Sequence, residues 1–256
     1  MAAAQALRVD AVGVQYGSLR ALDGVSWSVR SGEILGIIGP NGAGKSTCLA
    51  AVTNSVRHSG RIELDGRDVT RASTHQLARL GLRRTYQQNA FFNDLSVLDN
   101  ARCALSRQHG TPLWESVCAP WREWRHRRSS IGAATALLDR FGIDRAYFDL
   151  PPPHIPYGTQ RMLSVAIAYA HNARVLLLDE PAAGTGGEDM RRLADLLVRM
   201  RAEGLALVVI EHHMDLIMSV ADRIVVLDRG KLLATGTPDQ VRNDQKVREA
   251  YLGRAS

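Results

Sequence analysis

A glycine-rich segment behind an apolar run is the strongest chemical signal in the sequence. It fits the pattern GxxxxGK[ST], with a strand predicted before it over residues 33–38 and a helix after it over 45–54. Glycines let backbone N–H groups converge on phosphate oxygens, and a helix N-terminus adds about half a positive charge. The segment therefore predicts a phosphate-binding loop, in which Lys45 reaches the β- and γ-phosphates of a nucleotide and Ser46 ligates Mg²⁺. Its residues are Gly39, Pro40, Asn41, Gly42, Ala43, Gly44, Lys45, Ser46 and Thr47.

Two adjacent carboxylates follow a second apolar run. Residues 175–178 predict a strand buried on both faces, and the run ends in Asp179 and Glu180. Ligands of open α/β sheets bind at the carboxyl ends of the strands. Together with the phosphate loop, this position predicts that Asp179 holds a metal ion and that Glu180 polarises a water molecule.

The remaining pattern supplies the elements that must position these groups. Alternating apolar residues predict antiparallel strands over 7–14 and 25–29, and a strand over 61–64 is followed by a tight Asp65-Gly66 turn. Helical spacing then fills most of the middle of the chain. After the three prolines at 151–153, a helix (157–170), a strand (174–178), a helix (188–202) and a strand (205–210) alternate. This alternation predicts a parallel α/β sheet.

Composition limits the class of protein. The 256 residues are 45% hydrophobic and 23% charged, which excludes a disordered or fibrous chain. No apolar run approaches the roughly 18 residues of a spanning helix, and residues 1–7 lack a secretory signal, so we expect a soluble cytoplasmic chain. Three widely spaced cysteines, Cys48, Cys103 and Cys118, predict reduced thiols. The net charge of +6 leaves nucleic acid, an anionic membrane surface or no special partner open.

The order and spacing of the two motifs resemble those of ATP-binding subunits of ABC transporters over nearly the whole chain. The resemblance implies one ABC ATPase domain over residues 1–256, an α/β P-loop fold with a mixed-sheet core, an antiparallel β subdomain and a helical subdomain. It implies a nucleotide-binding core at 7–94 and 154–240, a helical subdomain at 95–153 with an insertion at 110–130, and a C-terminal tail at 241–256.

The same resemblance implies the roles of further residues. Tyr16 stacks on adenine, Gln87 senses Mg²⁺ and contacts the permease, and His212 contacts the γ-phosphate. Asp179 and Glu180 match the metal-organising and catalytic carboxylates. The implied activity is ATP hydrolysis with ATP and Mg²⁺ as cofactors.

Four stretches are similar to one branch of the family, the ATPase subunits of importers for hydrophobic or branched-chain amino acids. They are Glu-Pro-Ala-Ala-Gly at 180–184, Glu-His-His-Met at 211–214, Gly-Thr-Pro at 236–238 and Ala-Tyr-Leu-Gly at 250–253. The branch implies a peripheral position at the cytoplasmic face of the inner membrane. Its partners are permease subunits, a second ATPase subunit and, indirectly, a solute-binding protein. Importers of urea and other amides have similar sequences.

One segment departs from the family. Where the family has LSGGQ, or LSYGQ in this branch, residues 155–159 read Ile-Pro-Tyr-Gly-Thr, so Pro156 replaces a serine hydroxyl and has no N–H. Tyr157 and Gly158 remain, with the helix N-terminus as backbone donor. Residues 184–187 read Gly-Thr-Gly-Gly where the branch has Leu-Asn after the first glycine. In ABC proteins two subunits sandwich each ATP between a phosphate loop and a signature, so the departure favours an asymmetric heterodimer.

The insertion at 110–130 is rich in tryptophan and arginine, and its sequence is compatible with three kinds of surroundings. It contains Trp114, Trp121, Trp124, Arg122, Arg125, His126, Arg127 and Arg128. The alternatives are a solvated helical hairpin, a contact with lipid headgroups or a permease and, least favoured, a contact with nucleic acid.

Two other functions of the whole chain stay open. They are a soluble ABC ATPase acting on nucleic acid or in translation, and a catalytically weak regulatory subunit.

Overall fold

The computed structural model describes residues 5–86, 91–106, 120–170 and 173–252, with the backbone alone for 120–129 and 252. The chain divides into two compact units, Met1–Gln87 with Ala173–Ser256, and Gln88–Asn172. In the described part of the chain, no helix has the length and apolar character needed to cross a membrane.

The elements are numbered in chain order. The strands are β1 (Gln5–Tyr16), β2 (Leu19–Arg30), β3 (Ile34–Ile38), β4 (Ser59–Leu64), β5 (Arg67–Asp68), β6 (Leu82–Arg84), β7 (Val175–Asp179), β8 (Ala206–Ile210), β9 (Arg223–Asp228) and β10 (Lys231–Gly236). The helices are α1 (Lys45–Val52), α2 (Thr74–Arg79), α3 (Val97–Leu105), α4 (Pro120–Arg140), α5 (Tyr157–Tyr169), α6 (Gly187–Ala202), α7 (Met214–Val220), α8 (Pro238–Asn243) and α9 (Gln245–Leu252).

The first unit contains two sheets. An antiparallel sheet has the order β2-β1-β4-β5, and its β4–β5 turn places Asp65 and Gly66 at positive φ, as a tight hairpin requires. The second sheet has the order β10-β9-β3-β8-β7-β6. All its pairs are parallel except β9–β10, so it is mixed.

The centre of the mixed sheet positions the site. Strands β3, β7 and β8 are buried along their whole length, which explains their uninterrupted apolar sequences. In register, Ile210 of β8 lies beside Ile37 of β3 on one side and Asp179 of β7 on the other. The segments that follow these three strands therefore emerge at one edge of the sheet.

A buried apolar cluster fills the first unit and draws on both sheets and α1. It includes Trp27, whose Nε1 donates to Sγ of Cys48 at 3.2 Å. Burial raises the pKa of the Cys48 thiol to about 11. Cys48 and the exposed Cys103 are free thiols, while Cys118 lies outside the described residues.

The second unit is helical. Helix α3 packs against α4 and α5, with Val97, Ala101, Leu138 and Phe141 fully buried. Asn100, only 3% exposed, donates to the carbonyls of Phe92, Leu95 and Ser96 and accepts from the N–H of Phe92, which orders the turn before α3.

The predicted fold class is confirmed, and each predicted strand and helix named above has a counterpart with shifted ends. The predicted insertion at 110–130 stays a prediction, and helix α4 begins within it at Pro120. Proline is tolerated at the first helical position, and no glycine or proline follows until Gly132. The first compact unit ends at Gln87 and resumes at Ala173, whereas the resemblance implied that the nucleotide-binding core ends at residue 94 and resumes at residue 154. The functional limits of the subdomains stay a prediction.

Candidate functional site

The phosphate loop connects β3 to α1 and needs its glycines for two reasons. Gly39, Gly42 and Gly44 all have positive φ. A Cβ on Gly39 would lie 2.1 Å from the carbonyl oxygen of Leu227, and one on Gly44 would lie 2.7 Å from that of Ala21. Both the backbone conformation and the surrounding chain therefore exclude a side chain at Gly39 and Gly44, whereas at Gly42 only the positive φ favours glycine.

Lys45 is folded back over the loop. Its Nζ donates to the carbonyl oxygens of Gly39 at 2.7 Å and Pro40 at 3.1 Å, and the residue is only 7% exposed. Desolvation lowers the pKa of Lys45, and the negative charges of Glu180 and Asp179 oppose this shift. The two carboxylates are therefore close enough to act on the ammonium group.

Asp179 ends β7 in a nearly closed environment. Its carboxylate accepts from Nη2 of Arg84 at 2.8 Å, and its backbone N–H donates to Oγ1 of Thr85 at 3.2 Å. The side chains of Arg84 and Asp179 are 10% and 5% exposed, so this ion pair is buried. Arg84 lies in β6, the strand next to β7. A positive side chain therefore already contacts the predicted metal ligand.

Glu180 follows in a strained backbone conformation. Its φ is 50°, a region that non-glycine residues rarely adopt, while its N–H stays bonded to the carbonyl of Ile210 at 2.9 Å. The carboxylate Oε2 lies 3.9 Å from Nδ1 of His212, which is half exposed. The structure thus brings Lys45, Asp179, Glu180 and His212 to one edge of the mixed sheet.

Glu211 directly precedes His212 in the chain and is fully buried. Its donor atoms lie within 4.8 Å of those of His212 and His213, a separation that a metal ion could bridge. The carboxylate oxygens, however, already accept from four N–H groups, belonging to Ala182, His212 and His213. The arrangement is that of a hydrogen-bonded carboxylate rather than a metal ligand.

The other predicted residues lie in different places. Tyr16 ends β1 and is 48% exposed. Tyr157 and Gly158 begin α5 in the second unit, where the guanidinium carbon of Arg161 lies 5.0 Å from the centre of the Tyr157 ring. Gln87 lies outside the described residues. The assigned roles of all these residues stay predictions.

Sequence reasoning missed three contacts of the site. Glu211 carried a usable signal, because it follows an apolar strand as the predicted carboxylates Asp179 and Glu180 do. Arg84 carried none, because β6 reads Leu-Arg-Arg and is not apolar. Tyr251 of α9 carried none, although its hydroxyl hydrogen-bonds to the backbone of Gly39 and burial raises its pKa to about 12. The C-terminal helix therefore contacts the first glycine of the phosphate loop.

A phosphate loop between a buried parallel strand and a helix, with carboxylates at the end of another parallel strand, defines a nucleoside triphosphatase of the P-loop class. Residues 22–183 match the family model described as ABC transporter, and residues 231–256 match the model described as branched-chain amino acid ATP-binding cassette transporter. The chain belongs to the ABC transporter family and is an ATP-binding ATPase.

Relatives cover almost the whole chain. It is 34% identical over 251 residues to the high-affinity branched-chain amino acid transport ATP-binding protein LivG of Salmonella typhimurium, covering 97% of this chain and 98% of the relative. The corresponding protein BraF of Pseudomonas aeruginosa is 33% identical with the same coverage. The crystal structure of a nucleotide-free ATP-binding cassette from an ABC transporter superposes with a TM-score of 0.83 at 25% identity, covering 96% of this chain and 98% of that one. The predicted resemblance is confirmed.

Proposed function

We propose that this ATPase powers an importer of branched-chain or related amino acids. The observation that carries the ATPase part of the proposal is the convergence of Lys45, Asp179, Glu180 and His212 at one sheet edge. The match of residues 231–256 and the names of the relatives favour amino acid import over the nucleic-acid and regulatory alternatives.

Each converging residue has a role in this proposal. Lys45 and the loop N–H groups bind the β- and γ-phosphates, Tyr16 stacks on adenine, and His212 contacts the γ-phosphate. Glu180 orients the attacking water and accepts its proton. The 3.9 Å between Glu180 and His212 supports their joint action on the terminal phosphate.

Mg²⁺ fits the oxygen donors present. The hydroxyl of Ser46 and the carboxylate of Asp179 are hard oxygen ligands of the kind this ion prefers, and Gln87 is the third candidate. The bound ion would neutralise charge on the phosphates. Because Arg84 already contacts Asp179 at 2.8 Å, this carboxylate must share its charge between the guanidinium and the ion.

Membership of the ABC transporter family supports the proposed partners. The chain would act as a peripheral subunit at the cytoplasmic face of the membrane, bound to permease subunits that receive solute from a binding protein. The second ATPase subunit would be a different chain. Pro156, the N-cap of α5, has no hydroxyl and no N–H, so it offers a partner's ATP no hydrogen-bond donor.

Uptake of radiolabelled leucine tests the transport function in cells whose gene for this chain is deleted. The wild-type chain should restore uptake and Glu180→Gln should not. Glu188→Gln is the matched control, because Glu188 lies on the surface in an ion pair with Arg192. Equal uptake with and without the chain would overturn the proposal.

ATP turnover tests the heterodimer. The purified chain alone should hydrolyse ATP near background and gain activity when the second ATPase subunit is added. Brisk turnover by the chain alone would contradict an asymmetric pair.

A further inference from the structure

Glu211 is a buried carboxylate to which the mechanism above gives no role. It follows β8 directly and has no exposed surface. A charged group in this position is costly unless hydrogen bonds compensate it. Its partners therefore indicate what the residue does.

The two oxygens of Glu211 bind two different segments. Oε1 accepts from the backbone N–H of Ala182 at 2.6 Å. Oε2 accepts from the backbone N–H groups of His212 at 3.2 Å and His213 at 3.4 Å, and from Nδ1 of His213 at 3.0 Å. One rigid planar group thus joins the turn after β7 to the segment after β8.

Each of these segments carries a residue that faces the terminal phosphate in the proposed mechanism. Ala182 lies in the turn that begins at Glu180, where the N–H of Ala183 donates to the carbonyl of Glu180 at 3.1 Å. His212 is bonded to Glu211 through its own N–H. The carboxylate of Glu211 therefore fixes both backbones next to the 3.9 Å contact between Glu180 and His212.

We propose that Glu211 is a positioning residue that sets the placement of Glu180 relative to His212. The inference rests on the proposed roles of Glu180 and His212. This role requires a carboxylate at position 211 for its chemistry as well as its shape. A carboxylate only accepts hydrogen bonds, and here every partner is an N–H group. An amide in its place would turn an NH₂ group toward donors and push one of the two segments away.

Glu211→Gln tests this in the transporter complex purified through an affinity tag on this chain. The control is Glu33→Gln, since Glu33 is also a buried carboxylate that accepts from a backbone N–H, that of Arg30. Glu33 precedes β3, at the opposite edge of the mixed sheet from the site. Both variants should melt at lower temperature than the wild type.

Only the variant at Glu211 should change the chemistry. We expect its kcat to fall about tenfold or more with the KM for ATP within about twofold, because small displacements of catalytic groups cost roughly that much. The Glu33 variant should keep its kcat within about twofold. An unchanged kcat for folded Glu211→Gln, or an equal loss in Glu33→Gln, would overturn the proposal.

A double variant separates positioning from general damage. In a His212→Ala background, Glu211→Gln should lower kcat by a smaller factor than in the wild type, because one of the two positioned groups is gone. A full product of the two single losses would contradict the inference.

The proposed function can fail separately. If Glu180→Gln leaves turnover unchanged in the same complex, the assigned catalytic role fails first. If Glu180→Gln abolishes turnover while Glu211→Gln keeps the wild-type kcat, only the role of Glu211 is lost.

Discussion

The phosphate loop and the altered signature segment each lead into a helix, and the two helix starts share an unusual feature. Neither α1, capped by Gly44, nor α5, capped by Pro156, has a side-chain cap or an acidic residue in its first turn. Every other α-helix whose N-terminus the structure describes has one or the other. The caps are Ser73, Ser96, Thr237 and Asp244, and the acidic residues are Glu188, Asp189 and Asp215.

This comparison separates two contributions to phosphate binding. Helix N–H groups without an internal acceptor suit an external anion, and both segments keep that backbone property. Side-chain donors differ: the phosphate loop has Lys45 and Ser46, whereas the signature segment has Pro156 where the family has serine. Compared with the family pattern, the signature segment therefore lacks one hydroxyl but keeps a helix N-terminus without a side-chain cap.

The largest effect should come from the catalytic carboxylate next to the phosphate loop. Glu180→Gln removes the proton acceptor, and we expect ATP turnover to fall roughly 100- to 10,000-fold, the usual contribution of general-base catalysis. ATP binding should persist, because the loop is unchanged. Turnover of the purified complex measures the first effect, and equilibrium binding of a fluorescent ATP analogue the second. A loss below about tenfold would show that the catalytic carboxylate lies elsewhere.

Lys45→Ala should act on binding. A charge-assisted hydrogen bond contributes about 1.5–3 kcal/mol, so ATP affinity should fall roughly 10- to 100-fold. The same binding assay measures it. Lys231→Ala is the control, because Lys231 is exposed and pairs with Asp23 at 3.3 Å. Equal losses in both variants would mean that net charge, not the loop lysine, attracts the nucleotide.

Pro156→Ser addresses the difference between the two regions. The serine restores a hydroxyl that can reach phosphate, so turnover of the complex should rise roughly tenfold if the family's contact forms again. Pro153→Ser, at an exposed position three residues before Pro156, should change nothing. Unchanged turnover in Pro156→Ser would mean that the open helix start already supplies all the binding this segment contributes.

Tyr251→Phe should have the smallest effect. It deletes the hydroxyl that bonds to the backbone of Gly39, a net loss of about 0.5–1.5 kcal/mol. We expect a lower melting temperature and a KM for ATP raised about twofold to tenfold. Because the pKa of Tyr251 is about 12, the hydroxyl stays protonated and the effect should not vary between pH 6 and 9. Tyr147→Phe, in the second unit, is the control.

The parts of the site that could be predicted are contiguous in sequence. The loop at 39–47 and the pair Asp179–Glu180 each follow one buried strand, so their spacing alone identified them. The confirmed strands likewise follow from short-range apolar patterns.

The parts that could not be predicted depend on strand order. Arg84 contacts Asp179 across 95 positions because β6 pairs with β7, and Glu211 reaches Ala182 across 29 because β8 pairs with β7. The helices α7, α8 and α9 were also missed, because each is at most eight residues long, and with them the contact of Tyr251 with Gly39. Strand β9 was missed although its apolar run at 224–227 resembles that of β7.

The positive φ of Glu180 has a consequence for how this protein can change over generations. A left-handed backbone costs a non-glycine residue about 1–2 kcal/mol, so mutation to glycine here should relieve strain and make the chain more stable. The same mutation removes the carboxylate. Selection for stability and selection for activity therefore oppose each other at this position, and an inactive descendant of this chain would gain stability by losing the carboxylate to which we assign catalysis.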